Sequence, residues 1–170
     1  VLKVCGAKQD WTMEGFIDSA VEKISKIKGN VLCGVSGGID STVAALLIHK
    51  AIGNRQKCVF VNNGLLRLNE EIEIEEMFKN NFNVNFSVVD AAQVFLAELK
   101  GVEDPERKRM IIGEEFVRVF TEFAKKNGPF KWLAQGTLYP DVIESGVSKG
   151  PAAVIKSHHN VGGLPDWLNL

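Results

Sequence analysis

The chain has 170 residues, of which 45% are hydrophobic and 24% charged, and its net charge of −1 gives no reason to expect nucleic acid or an anionic membrane as a partner. Its length fits one domain with a sizeable core. No apolar run approaches the length that spans a bilayer, and the first residues lack the layout of a secretory signal. Three cysteines without a CxxC pair argue against a disulfide framework or a zinc site, so a reducing cytoplasm is the expected location.

Apolar periodicity and turn signals divide the chain into alternating helices and strands. Thr12 is a candidate cap for the first helix, and Asp104-Pro105 combines a cap with a proline at the first position of the longest helix. The acidic run from Glu70 to Glu76 is expected to be a solvated helix face. In chain order, the predicted elements are a helix over 12–28, a strand over 31–35, a helix over 39–51, a strand over 58–61, a helix over 69–80, a strand over 84–89, a helix capped by Asp90 that includes Leu99, a helix over 104–127, and strands over 132–134 and 153–155.

This alternation predicts an α/β fold: a doubly wound, mostly parallel five-stranded sheet with helices on both faces. In such sheets ligands bind beyond the carboxyl ends of the strands, near the switch in strand order. The segments that follow the predicted strands are therefore expected along one edge, namely 36–41, 62–64, Asp90, 135–137 and 157–160.

The segment Ser36-Gly37-Gly38-Ile39-Asp40-Ser41 stands at that edge, between an apolar strand and an apolar helix. Two glycines let the main chain approach a ligand closely, and amides at a helix N-terminus form an anion site. No lysine occupies the Walker A position, so the loop is interpreted as a pyrophosphate cradle of another kind. Asp40 would repel a bare phosphate, which indicates a neutralising Mg²⁺. The alternative is a tight turn in which Asp40 caps the helix.

The loop resembles the pyrophosphate loop of the ATP pyrophosphatases, which cleave ATP between its α- and β-phosphates. Together with further stretches, it resembles the ATP pyrophosphatase domain of glutamine-hydrolysing GMP synthase from about residue 11 to residue 165. That resemblance implies an adenine nucleotide alpha hydrolase-like fold. The further stretches are VNNGLLRLNE at 61–70, DPERKRMIIG at 104–113, WLAQGTLYPDVIES at 132–145 and IKSHHNVGGLP at 155–165.

The resemblance implies a two-step reaction. ATP adenylylates the 2-oxygen of xanthosine monophosphate (XMP) and releases pyrophosphate, and ammonia then displaces AMP to give GMP. Charge that develops on the pyrophosphate requires amides, Mg²⁺ and cationic side chains around it. ATP and Mg²⁺ are therefore the expected cofactors, and XMP and ammonia the expected substrates.

The resemblance also implies a role for each matching residue. The phosphate loop would comprise Ser36, Gly37, Gly38, Ile39, Asp40, Ser41 and Thr42, with Asp40 also reaching the metal. The backbone of Val61 and Asn62 would contact adenine, and Gly136 and Thr137 would lie near the nucleotide. Lys108 and Arg109 would direct positive charge toward phosphate, and Asp141 and Glu144 would bind metal or the nucleotide substrate. Lys156, His158 and His159 would belong to a mobile lid.

Each of the less specific assignments has a simpler alternative. Lys108 and Arg109 can be solvated helix residues. Asp141 and Glu144 can cap a short helix, and the histidine pair at 158–159 can be part of a zinc site, although no third ligand is evident. Many relatives carry aspartate where this chain has Asn62, and an adenine contact through the backbone would survive that difference.

The resemblance implies neighbouring domains as well. Residues 1–11 resemble the end of a glutaminase domain, residues 12–170 are expected to form the ATP pyrophosphatase domain, and the family's C-terminal dimerisation domain is missing. No cysteine lies in the glycine-rich elbow that a glutaminase nucleophile needs. Two other functions remain open: another pyrophosphate-loop ligase, of the NAD synthetase or tRNA-thiolating type, and an ATP-binding module without complete activity.

Overall fold

A computed structural model describes residues 2–6 and 12–136. Helices and strands alternate along the chain, with boundaries close to those predicted from the sequence. In order, the elements are α1 (Leu2–Cys5), α2 (Met13–Ser25), β1 (Asn30–Val35), α3 (Ile39–Ile52), a 3₁₀ turn (Gly53–Arg55), β2 (Gln56–Asn62), α4 (Glu70–Asn81), β3 (Phe86–Asp90), α5 (Ala92–Leu99), α6 (Pro105–Asn127) and β4 (Phe130–Ala134).

The strands form one parallel sheet in the order β3-β2-β1-β4. The chain thus moves outward from β1 to β3 and then returns to the other side of β1, which confirms a doubly wound sheet with a switch in strand order beside β1. The sheet of the described residues has four strands, not the predicted five. The missing strand was expected over 153–155, which lies outside the described residues.

Helices cover both faces of the sheet, as predicted. Alternate side chains of β1 and β2 point to opposite faces, so the two strands supply both cores. Helices α5 and α6 pack on one face, where the buried residues are Leu32, Val59, Val61, Ala91, Phe95, Val119, Phe120 and Ala124. Helices α3 and α4 pack on the other face, where the buried residues are Cys33, Val35, Ala45, Cys58, Phe60, Ile74 and Phe78.

Two of the three predicted helix caps are present. The Thr12 hydroxyl accepts a hydrogen bond from Gly15 N at 3.0 Å, and the Asp104 carboxylate accepts one from Arg107 N at 2.7 Å. The third, Asp90, lies one residue before Ala91, the N-cap of α5, and its carboxylate accepts a hydrogen bond from Ala92 N at 3.1 Å. Helix α2 ends at Ser25, before the predicted end at residue 28, and Gly29 then takes the left-handed conformation at φ +99°. Over residues 2–6 and 12–136, no helix is both long enough and apolar enough to cross a membrane.

Asp104→Ala is expected to lower the free energy of unfolding by about 1 kcal/mol, because the amide of Arg107 loses its partner at the exposed start of α6. Urea unfolding of the chain measures this difference. Asp104→Ser keeps a capping oxygen and should recover most of the stability. Equal losses in both variants would contradict a capping role.

Candidate functional site

The glycine loop between β1 and α3 turns sharply on Gly37. Its φ is +79°, a conformation that side chains disfavour. A Cβ atom at this position would lie 2.3 Å from Cδ1 of Ile74, a buried residue of α4. Gly37 is therefore required both by its backbone conformation and by its close packing against α4.

The N-terminus of α3 opens toward solvent at this loop. Its cap is Gly38, which has no side chain to bond the first amides of the helix. The amides of Ile39, Asp40 and Ser41 belong to the first turn, where helix geometry provides no backbone acceptor. The side chains of Ile39 and Asp40 are exposed. The result is a set of convergent N–H groups with one carboxylate beside them, and the alternative assignment of Asp40 as the cap of α3 is wrong.

The hydroxyl groups of the loop hold its shape. Ser41 Oγ donates to Gly38 O at 3.1 Å and accepts from Ser36 N at 3.1 Å. Thr42 Oγ1 donates to Gly38 O at 2.9 Å, and Ser36 Oγ lies 3.1 Å from Ser41 Oγ. Ser41 and Thr42 are buried, whereas Ser36 is exposed. Ser41 and Thr42 thus brace the loop, and Ser36, Ile39 and Asp40 are exposed beside them.

The loop after β2 runs along the same edge of the sheet. Val61 is buried, and the Asn62 side chain donates to Glu71 Oε2 at 2.5 Å while its Oδ1 accepts from Gly64 N at 2.9 Å. Glu70 Oε2 accepts from Arg67 N at 2.8 Å. The first two acids of α4 therefore hold this loop, which the sequence interpretation of a solvated acidic face missed. A carboxylate one helical turn after a loop is the signal that points to such a role.

Gly136 follows β4 and lies against the first turn of α3. A Cβ atom at Gly136 would be 3.3 Å from both Cα and N of Ser41, and 3.4 Å from the carbonyl carbon of Asp40. The structure thus brings Gly136 together with the glycine loop, as the strand-end rule predicts. Because the neighbouring atoms are backbone, they cannot move aside cheaply.

Gly136→Val is expected to weaken nucleotide binding about tenfold and to cost roughly 1–3 kcal/mol of stability, because the added atoms press on the main chain of α3. Calorimetric titration and urea unfolding measure the two effects. Gly113→Ala in α6 is the matched control, since a Cβ there meets nothing within 4 Å. A Gly136→Val protein with unchanged nucleotide affinity and stability would show that the space between Gly136 and the main chain of Ser41 accommodates a side chain.

Lys108 and Arg109 lie near the start of α6, and their predicted role toward phosphate stays a prediction. A Cβ atom at Gly34, near the end of β1, would be 2.9 Å from the Phe120 ring, which sets the level of α6 relative to the sheet. Lys108 and Arg109 precede Phe120 by three helical turns, about 17 Å along the axis. Lys108 is exposed, and Arg109 forms an ion pair with Glu106 at 3.1 Å. These two cations therefore stand on a part of α6 that projects beyond the carboxyl edge of the sheet.

The other predicted site residues lie outside the described residues. They are Thr137, Asp141, Glu144, Lys156, His158 and His159. Within residues 2–6 and 12–136, no group of three histidine, cysteine or acidic side chains is arranged to hold a metal ion. Of the two predicted metal ligands, only Asp40 lies within the described residues, and its exposed carboxylate is the kind of oxygen ligand that Mg²⁺ takes.

Comparison with known proteins places this site in a family. A family model that describes NAD synthase matches residues 11–121. GMP synthase (glutamine-hydrolysing) of Paraburkholderia phymatum is 59% identical over 173 aligned positions, and that of Acetivibrio thermocellus is 57% identical over 170. The alignments cover 100% and 99% of this chain, respectively, but 33% of each relative, so the chain spans about a third of the length of these proteins.

Two solved structures share the fold. An NH₃-dependent NAD synthetase from Campylobacter jejuni superposes with a TM-score of 0.54 at 14% identity, over 78% of this chain and 69% of that one. A glutamine-dependent NAD⁺ synthetase from Acinetobacter baumannii, solved with ADP, superposes with a TM-score of 0.56 at 18% identity, over 72% of this chain and 25% of that one. By its parallel sheet, its glycine loop and the matching family model, the chain belongs to the pyrophosphate-loop family that NAD synthase represents, and GMP synthases are similar to it along its whole length.

Proposed function

We propose that this chain is the synthetase domain of a GMP synthase, which binds Mg-ATP at the glycine loop and transfers its AMP moiety to the 2-oxygen of XMP. The observation that carries the proposal is the loop itself: a left-handed Gly37, a cap at Gly38 without a side chain, and the first-turn amides of Ile39 and Asp40, which belong to exposed residues. Such a group of N–H donors suits the two phosphates that leave together as pyrophosphate.

The chain's own groups would act mainly on the leaving pyrophosphate. Fixed amides of Ile39 and Asp40 would meet negative charge as it develops, without reorganising at the moment of reaction. The Asp40 carboxylate would hold Mg²⁺, which supplies charge neutralisation to the phosphates when bound. The network of Ser41 and Thr42 keeps the amides aimed in one direction.

Similarity to named proteins supports the choice of substrates. Adenine would lie beside the backbone of Val61 and Asn62, next to the glycine loop along the carboxyl edge. ADP in the A. baumannii structure supports an adenine nucleotide in this fold. The high identity to GMP synthases along the whole chain supports XMP as acceptor and ammonia as the second substrate.

The remaining assignments belong to the same proposal. Lys108 and Arg109 on the projecting part of α6 would attract a phosphate group of the acceptor, after Arg109 exchanges its Glu106 partner. Asp141 would bind metal, Glu144 would bind the acceptor, and Thr137 would lie near the nucleotide. Lys156, His158 and His159 would belong to a lid that closes over the reacting groups.

The relatives are about three times as long as this chain, which supports further domains with activities of their own. Residues 1–11 would link it to a glutaminase domain that supplies ammonia, and residues 12–170 would be the synthetase domain. A dimerisation domain would follow and complete the acceptor site. The reaction needs no membrane or nucleic acid, and we place it in the cytoplasm.

A second candidate is an NAD synthetase-type reaction, in which the same loop activates a carboxylate. The matching family model and both structural relatives favour it. Its acceptor is a carboxylic acid, whereas the GMP synthase acceptor is the exocyclic oxygen on C2 of the purine. The two reactions therefore differ in the acceptor that triggers pyrophosphate release.

The deciding experiment measures pyrophosphate release by the complete enzyme with Mg-ATP and ammonia. XMP and the carboxylic acid precursor of NAD are compared as acceptors. We expect release with XMP only, together with formation of GMP. Release with the NAD precursor would favour the second candidate, and failure of this chain to bind ATP in a calorimetric titration would contradict both.

A further inference from the structure

Two buried cysteines face each other across the central pair of strands. Cys33 of β1 and Cys58 of β2 are register partners in a parallel ladder. They are 1% and 0% exposed, and both belong to the core between the sheet and helices α3 and α4. All three cysteines of the chain are free thiols, and the third, Cys5, is exposed. The proposed ATP chemistry uses none of them.

The spacing of this pair permits a covalent link. Neighbouring strands lie about 4.8 Å apart, and side chains of register partners point to the same face. Cα atoms of disulfide-bonded cysteines usually lie about 4.4–6.8 Å apart. The pair therefore falls within the allowed range, toward its short end.

The two thiols also differ in chemical character. The adjacent Cys58 side chain lowers the pKa of Cys33 despite its burial. The adjacent Cys33 side chain and burial raise the pKa of Cys58. The two thiols therefore titrate as a pair, in which the first to lose its proton is the attacking sulfur and the other is the second thiol of an exchange reaction.

We propose that Cys33 and Cys58 form a reversible dithiol–disulfide site within the sheet, with small-molecule disulfides as the class of oxidant that it takes. One of the two cysteine sulfurs attacks one sulfur of the oxidant and expels a small thiol. The other cysteine sulfur then attacks the cysteine sulfur of that mixed disulfide, forms the protein disulfide and expels the second small thiol. The two protein thiols lose two electrons and two protons, and the oxidant gains both as it becomes two thiols.

The site is placed to act on the loops above it. Cys33 precedes the glycine loop by two residues of β1, and Cys58 lies on the strand that ends at Asn62. Because both thiols are buried, the oxidant reaches them only through local opening of the sheet. The disulfide should therefore form more slowly than a mixed disulfide at exposed Cys5. A bond that fixes β1 to β2 two residues before the glycine loop should lower the affinity for ATP severalfold.

Oxidised glutathione added to the folded chain tests this inference, with intact mass and peptide mapping as the readout. We expect a Cys5 adduct first, and then a slower loss of two hydrogens that maps to a Cys33–Cys58 peptide pair. Dithiothreitol should reverse both changes. Cys5→Ser should still form the internal disulfide, whereas Cys33→Ala and Cys58→Ala should each lack it.

Two results would overturn the proposal. One is a folded chain in which Cys33 and Cys58 stay free while Cys5 is fully modified. The other is a disulfide that forms only under conditions in which circular dichroism shows the chain unfolded. Both results come from the wild-type chain and need no ATP, so they do not depend on the proposed GMP synthase activity.

Discussion

Replacing Gly37 with alanine is expected to destabilise the chain by about 2–4 kcal/mol and to abolish measurable ATP binding. Part of the cost arises because alanine at φ +79° is strained by roughly 1–2 kcal/mol. The rest arises because the new Cβ would lie 2.3 Å from Ile74 Cδ1, in a core where Ile74 is 6% exposed. To relieve this clash, either the glycine loop or α4 must shift, and both border the first-turn amides of α3. Urea unfolding and calorimetric titration with an ATP analogue measure the two losses.

Two companion variants separate the causes of the Gly37 effect. Gly53→Ala has a similar φ of +56° but meets nothing within 4 Å, so it should show only the conformational cost. Gly37→Ala combined with Ile74→Ala removes the clashing atoms, so the double variant should lose at least 1 kcal/mol less than the two single losses added together. Strict additivity would show that the steric contact contributes nothing.

The features that were predictable from the sequence depend on short-range chemistry. Thr12 and Asp104 cap helices because their oxygens reach amides three residues away. The glycine loop is recognisable because Gly37, Gly38 and the following apolar helix are contiguous. The parallel sheet is predictable because strands and helices alternate along the chain. Gly136 and the glycine loop both follow strands of that sheet, so they are expected at the same edge.

What was not predictable depends on contacts between distant parts of the chain. The position of Lys108 and Arg109 relative to the sheet depends on the level at which α6 packs, which the Gly34–Phe120 contact sets. The Asn62–Glu71 bond depends on the angle at which α4 returns to β2. The pairing of Cys33 with Cys58 depends on strand register, which single-sequence patterns leave undefined.

Asp40→Asn is expected to reduce Mg-dependent ATP cleavage by the complete enzyme roughly 100-fold while leaving the fold intact. The carboxylate is exposed in the first turn of α3, so its loss should change stability by less than about 1 kcal/mol, the usual size of a helix-dipole interaction. Asparagine keeps the size of the side chain and removes the charge that would hold Mg²⁺. Pyrophosphate release over a range of Mg²⁺ concentrations measures the effect, and Asp18→Asn, an exposed acid on α2, is the control.

Binding measurements on the chain itself can show whether that charge acts through a metal. A carboxylate beside the phosphate amides repels metal-free ATP, so Asp40→Asn should bind ATP in EDTA as well as or better than the wild type. With Mg²⁺ present, the wild type should gain affinity and the variant should gain little. The two proteins should therefore exchange their order of affinity when the metal is added, which neither misfolding nor loss of a simple hydrogen bond would produce. If instead the variant binds more weakly by the same factor in both conditions, Asp40 contacts the nucleotide or shapes the loop and does not hold the metal.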